Sequence, residues 1–216
     1  MNSGLPRESP GDNKPTKKAY LMLDELPEKP NILDIACGLG VQTVTLAKLS
    51  NGKIRAVDNH QPFLEQMKKR AEEEGVGEKI IAVNGDMTAL DYEKDSFDLI
   101  WCEGAIFVIG FEKGIQEWRR LLTGQGYLVV SEFCWLKPDP PEEVGKFVES
   151  YPGIKTINEN LAVIKKAGYR VINYFVLPEE SWWDSYYTPI EAKIPSMKLK
   201  YKDEIKKRWT IWLLKN

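Results

Sequence analysis

The chain has 216 residues, 43% of them hydrophobic and 29% charged, with a formal net charge of −2. This balance suits one globular domain, excludes a disordered or fibrous chain, and gives no excess of Lys and Arg with which to cover a nucleic acid. No apolar run approaches the roughly 18 residues that cross a bilayer, and the polar stretch over residues 1–18 does not read as a signal peptide, so a cytoplasmic location is expected.

Residues 1–15 contain several Gly, Pro, Asn and Ser, which predicts a mobile N-terminal arm, and a single domain is expected over 16–216. A helix over 15–26 leads into strand one at 32–36, a short apolar run with one acidic residue. A two-glycine turn and an amphipathic helix over 41–49 follow, and Asn51-Gly52 ends that helix. Strand two covers 53–57, a charged helix 61–74 opens near Pro62 and stops at Gly75, and strand three covers 79–84. Strand four at 97–102, a helix at 112–122 and strand five at 126–133 complete the regular part. Strands alternating with helices predict parallel pairing with right-handed crossovers: a Rossmann-like, doubly wound α/β fold. Beyond a proline-rich joint at 137–141, helices are expected at 144–150 and 157–167, and strands at 169–177 and 208–214, giving a mainly parallel seven-stranded sheet. Segments 137–168 and 179–207 read as cap or insert elements. Cys37, Cys102 and Cys134 lie in apolar surroundings without a CxxC, which predicts reduced, buried thiols and no metal site.

The segment Asp34-Ile35-Ala36-Cys37-Gly38-Leu39-Gly40 carries the functional signal. Glycines between a strand and a helix let backbone N–H groups reach a ligand, and open parallel sheets bind ligands at the carboxyl ends of their strands. A dinucleotide fingerprint asks for a third small residue where this chain has Thr43, and Asp34 would repel a pyrophosphate. A phosphate-free cofactor with a positive region removes the conflict, and S-adenosylmethionine has that chemistry.

These residues resemble motif I of the class I S-adenosylmethionine-dependent methyltransferases, and further positions agree. Asp58, 24 residues after Asp34, resembles the acidic residue that accepts from both ribose hydroxyls, with Asn59 next to it toward adenine. Gly85-Asp86-Met87 resembles the adenine clamp, Asp86 accepting from the exocyclic amine and Met87 covering the ring. The segment 97–102 resembles the strand whose end faces the methyl group, and 124–130 the glycine-rich entry to strand five. The resemblance extends to the ubiquinone-biosynthesis-like (type 11) small-molecule group through Thr16-Lys17-Lys18-Ala19 and the tail Trp182-Trp183-Asp184-Ser185-Tyr186-Tyr187-Thr188-Pro189. It implies a cofactor site formed by Asp34, Ala36, Cys37, Gly38, Gly40, Asp58, Asn59, Asp86, Met87 and Glu103, with S-adenosylhomocysteine as product.

Methyl transfer is an in-line displacement in which the protein supplies proximity and a dry site. Glu103, just past strand four, is the candidate general base, with binding of the methionine ammonium as its other reading. His60, the single histidine, reads as a loop residue beside the adenine or solvent. Trp182 with Tyr186, and Trp183 with Tyr187, are i, i+4 pairs that would form one aromatic helix face, read either as a buried flap or as a substrate lid. The lysine run at 193–207, interrupted by Asp203 and Glu204, reads as a solvated helix face. After strand four, Cys102-Glu103-Gly104-Ala105 lacks the Pro-Pro-Tyr/Phe motif of amine-modifying enzymes on bases or glutamine, which leaves a small organic acceptor. The expected partners are therefore that small molecule and no nucleic acid, in a monomer or homodimer. A nicotinamide-dependent oxidoreductase and a non-catalytic cofactor-binding protein are the alternatives.

Overall fold

The structure, a computed structural model, describes residues 5–137, 151 and 153–200, with the side chains of 196–200 left aside. Its centre is a five-stranded parallel sheet in the order β3-β2-β1-β4-β5. The strands are β1 (Asn31–Ile35), β2 (Lys53–Asp58), β3 (Ile80–Asn84), β4 (Phe97–Cys102) and β5 (Leu122–Val130). β1 and β4 are buried on both faces, as their nearly continuous apolar runs require. One face packs Leu33, Ile35, Ile100 and Cys102 against Ile115, Trp118 and Leu121; the other packs Ile32, Leu99 and Trp101 against Val44, Leu46 and Ala47.

The connecting helices are α1 (Asn13–Tyr20), α2 (Val41–Leu49), α3 (Gln61–Glu73) and α4 (Phe111–Trp118). α1 is shifted from the expected span because Asp12 caps it, accepting from Lys14 N at 2.9 Å. It ends early because Met22 N and Leu23 N close tight turns on Ala19 O and Tyr20 O, bringing Leu23 and Leu26 to the sheet. β5 starts earlier than expected: Leu122 pairs with Phe97, and an irregularity then sets Leu99 opposite Tyr127.

Among the described residues the sheet has five of the seven strands expected. Two short strands, β6 (Cys134–Trp135) and β7 (Lys155–Thr156), pair only with each other, and Thr156 opens α5 (Ile157–Lys166) through a reciprocal capping box with Glu159. Residues 169–177 form no strand ladder, since a strand exists only against a neighbour. The segments expected as a last strand (208–214) and as a helix (144–150) lie outside the described residues. The chain then forms one α-turn (Glu180–Trp182), a π-helical turn (Trp183–Tyr187) and α6 (Thr188–Lys200) without a break. The later part of the lysine run, beyond residue 200, also lies outside the described residues.

Candidate functional site

β1 reverses sharply at its carboxyl end. Ala36, Gly38 and Gly40 all have positive φ, at 57°, 52° and 73°, and Cys37 N donates to Val57 O at 2.9 Å, holding the turn to β2. A left-handed alanine is strained, and such strain concentrates where backbone must be presented to a ligand. The two glycines serve different purposes. A Cβ on Gly40 would lie 2.0 Å from Met67 Cγ, whereas one on Gly38 meets no protein atom within 4 Å. Gly40 thus allows α2 and α3 to pack closely, while Gly38 borders open space.

Three carboxylates stand around this turn. Asp58, at the end of β2, accepts from Gly38 N through Oδ2 and from His60 N through Oδ1, both at 2.9 Å. Each oxygen keeps a lone pair for a further donor such as a ribose hydroxyl. Asp34 is fully buried on β1; its Oδ2 accepts from Thr43 Oγ1 at 2.5 Å, and its Oδ1 has no partner. Burial raises the Asp34 carboxyl from 3.8 to about 7, partly offset by the side chains of Thr43 and Gln42, with Glu103 and Asp58 pushing it further up. A buried, half-satisfied carboxylate is what a cationic ligand would complete. Asp86, past β3, is exposed; Oδ1 accepts from Thr88 N and Thr88 Oγ1, both at 2.8 Å, which lowers its pKa. Its other oxygen stays available. Met87 packs on the core and accepts from Trp118 Nε1 through its carbonyl, and Asn59 is exposed.

Glu103 follows β4 and is densely engaged. Thr16 Oγ1 and Trp101 Nε1 donate to Oε1 at 2.7 and 2.9 Å, and Arg7 Nη1 pairs with Oε2 at 3.2 Å. Arg7 also donates to Asn13 Oδ1 at 3.0 Å. Both oxygens are thus engaged within the protein, one by two donors and the other by a guanidinium. Glycine turn, unpartnered Asp34 oxygen and paired acceptor sites on Asp58 together suit a nucleoside-bearing cation without phosphate, which is the chemistry of S-adenosylmethionine.

Residues 32–126 match the family described as "Methyltransferase domain". Sterol 24-C-methyltransferase erg6 of Aspergillus fumigatus is 25% identical over 183 residues, 80% of this chain and 48% of that protein. The ubiquinone/menaquinone biosynthesis C-methyltransferase UbiE of a Ruegeria species is 33% identical over 122 residues, 55% of this chain and 49% of that one. Among solved structures, an S-adenosylmethionine-dependent methyltransferase from Geobacter sulfurreducens, in complex with S-adenosylhomocysteine, superposes with a TM-score of 0.78 at 25% identity. That likeness covers 93% of this chain and 81% of the other. Together these likenesses support a class I S-adenosylmethionine-dependent methyltransferase. The chain spans about half the length of the sterol and UbiE relatives.

The aromatic block is arranged differently from the i, i+4 expectation. The π-turn inserts an extra residue, so Trp182 stacks on Tyr187, five positions on, with ring centroids 6.1 Å apart and planes at 23°. Trp183 tilts against Tyr187 at 5.5 Å and is 47% exposed. Tyr186 and Tyr187 are half-buried neighbours, 5.4 Å apart. Trp182 meets Phe133 at 5.3 Å, which meets Tyr151 and through it Phe107. One aromatic chain thus spans the segments that follow β4 and β5.

His60 occupies the N-cap position of α3 with its ring edge against Phe63 at 4.4 Å. Cys37 and Cys102 are buried free thiols pushed up by burial, and Cys134 is half-buried, accepting from Asn160 Nδ2 at 3.2 Å. Sequence reasoning missed Arg7, whose partner is 96 positions away. It also missed Glu132, although a carboxylate just beyond a strand end was the very signal used for Glu103. No cluster of metal-binding side chains exists among the described residues, and no described helix is long and apolar enough to cross a membrane.

Proposed function

We propose that this methyltransferase moves the methyl group of S-adenosylmethionine to a small organic acceptor by in-line displacement. The observation that carries the reading is the Gly38 turn, bordered by open space and set between Asp58, with acceptor capacity on both oxygens, and Asp34, with an unpartnered buried one. When bound, the cofactor supplies an activated methyl on a positively charged sulfur. In this reading Asp58 accepts from the ribose hydroxyls, Asn59 lies beside the adenine, and Asp86 accepts from the adenine amine under Met87. Ala36, Cys37, Gly38 and Gly40 shape the backbone cradle. Asp34 Oδ1 meets the positive end of the methionine moiety.

Glu103 is assigned to positioning rather than to proton transfer, because its donors occupy it. Through Arg7 and Thr16 it ties the arm and α1 to the end of β4, and Gly11 N donates to Ser181 O at 3.1 Å, joining the arm to the aromatic segment. Trp182, Trp183, Tyr186 and Tyr187 are proposed to cover the acceptor. A nicotinamide cofactor is not favoured, since its pyrophosphate would meet Asp34.

Calorimetric titration with S-adenosylhomocysteine tests the site. The wild type should bind, and Asp58→Ala should weaken binding by about 30-fold or more, the loss of two hydrogen bonds to a charged acceptor. Equal affinity in the two proteins would remove Asp58 from the site.

A further inference from the structure

Glu132 lies two residues past β5, one strand over from Glu103 at the same carboxyl edge of the sheet, where Cys102 pairs with Val130. The adjoining Ser131 fixes this edge: Ser131 N donates to Cys102 O at 3.1 Å and its Oγ accepts from Gly104 N at 2.7 Å. Glu132 Oε1 accepts from Phe133 N at 2.8 Å, but Oε2 is buried and no described residue donates to it. A purely structural role would use both oxygens or expose the second, because a buried oxygen without a partner is unfavourable. The residue borders the same cavity as Phe133, Cys134, Asn160, Leu161 and Trp182, a mainly apolar wall beside the aromatic chain. Burial pushes its carboxyl above the ordinary value, partly offset by the Phe133 backbone bond.

We propose that Glu132 is the catalytic carboxylate that meets the acceptor, taking its proton at Oε2, and that the acceptor is a neutral or cationic apolar molecule with one N–H, O–H or acidic C–H group, not an anion. The inference rests on the methyltransferase reading above. As the acceptor atom bonds to the transferred methyl carbon, its proton passes to Oε2 and the C–S bonding pair stays on sulfur. Glu132 then returns the proton to solvent, and no other reactant is required. The two carboxylates at this edge have separate tasks: Glu103 is engaged by Arg7, Thr16 and Trp101, and Glu132 keeps one oxygen for the substrate.

Phenol and benzoate, matched in shape and different in charge, test the proposal when titrated by NMR into protein saturated with S-adenosylhomocysteine. Wild type should bind phenol at least about tenfold more tightly than benzoate, since a buried carboxylate repels a second one. Glu132→Gln, nearly isosteric, should bring the two within about twofold of each other, and Glu132→Asp should keep the preference because it keeps the charge. Benzoate binding as well as phenol in the wild type, a preference unchanged in Glu132→Gln, or neither probe binding would overturn the proposal. Glu132→Gln should also bind S-adenosylhomocysteine like the wild type; a large loss would place Glu132 at the cofactor instead. Failure of the wild type to bind S-adenosylhomocysteine is a different result, which overturns the cofactor assignment.

Discussion

Replacing Asp34 with Asn gives a pH-dependent effect whose size follows from its burial. The carboxyl titrates at about 7 in the folded protein against 3.8 when solvated, so the folded state holds this proton more tightly than the unfolded one. Below the lower value both states are protonated and the group contributes nothing. As pH rises from about 4 to about 7 the unfolded chain ionises first, and ligand-free stability falls by up to about 4 kcal/mol, at about 1.4 kcal/mol per pKa unit. Asp34→Asn removes the effect, so it should match the wild type near pH 4 and exceed it by a few kcal/mol at pH 8, measured by urea denaturation of the ligand-free proteins. Binding reverses the sign. A cationic group against Oδ1 favours the ionised form, so wild-type binding at pH 6 should release about 0.9 proton and tighten about fivefold up to pH 7. Calorimetry of S-adenosylhomocysteine in two buffers of different ionisation enthalpy measures the release directly, and Asp34→Asn should show neither the release nor the tightening. Identical pH dependence in the two proteins would refute both the buried neutral carboxyl and its role in meeting the cofactor.

The two turn glycines and the arm give further outcomes. Gly40→Ala combines left-handed strain with overlap against Met67 and should lose about 2–4 kcal/mol in chemical denaturation. Gly38→Ala has the strain without the overlap and should lose only about 1–2 kcal/mol, while S-adenosylhomocysteine affinity falls at least about tenfold because the methyl enters the site. If the two variants behave alike, their assignment to packing and to ligand approach is wrong. Arg7→Ala breaks an ion pair whose side chains are 7% and 13% exposed, though Thr16 and Trp101 still hold Glu103. A loss of about 2 kcal/mol is expected, a melting shift of about 4–8 °C, with faster cleavage after Glu8 in the arm by a glutamate-specific protease. An unchanged melting point and cleavage pattern would show that the arm is not anchored through Arg7.

The central strands, and the places of Asp34, Asp58 and Asp86 along them, were legible in the sequence because each is written in short consecutive segments. β1 and β4 are nearly unbroken apolar runs because both faces are buried, and Asp34, Asp58 and Asp86 stand at successive strand ends whose spacing the βαβ repeat enforces. What escaped depends on groups far apart in the chain or on an exception to a default period. Residues 169–177 have the composition of a strand, yet a strand is a pairing, and no ladder neighbour is described beside them. The aromatic block was laid out with an α-helical period, whereas the π-turn moves the partner of Trp182 from Tyr186 to Tyr187. Arg7 reads as an ordinary residue of a Gly/Pro/Ser-rich arm until the fold brings Glu103 beside it, and the same contact changes the meaning of Glu103. In the sequence, Glu103 and Glu132 carry one signal, a carboxylate just beyond a strand end. Only the surrounding donors separate them, one being held by three side chains and the other keeping an unpartnered oxygen, so the proposed division into anchor and base rests on tertiary contacts rather than on residue type.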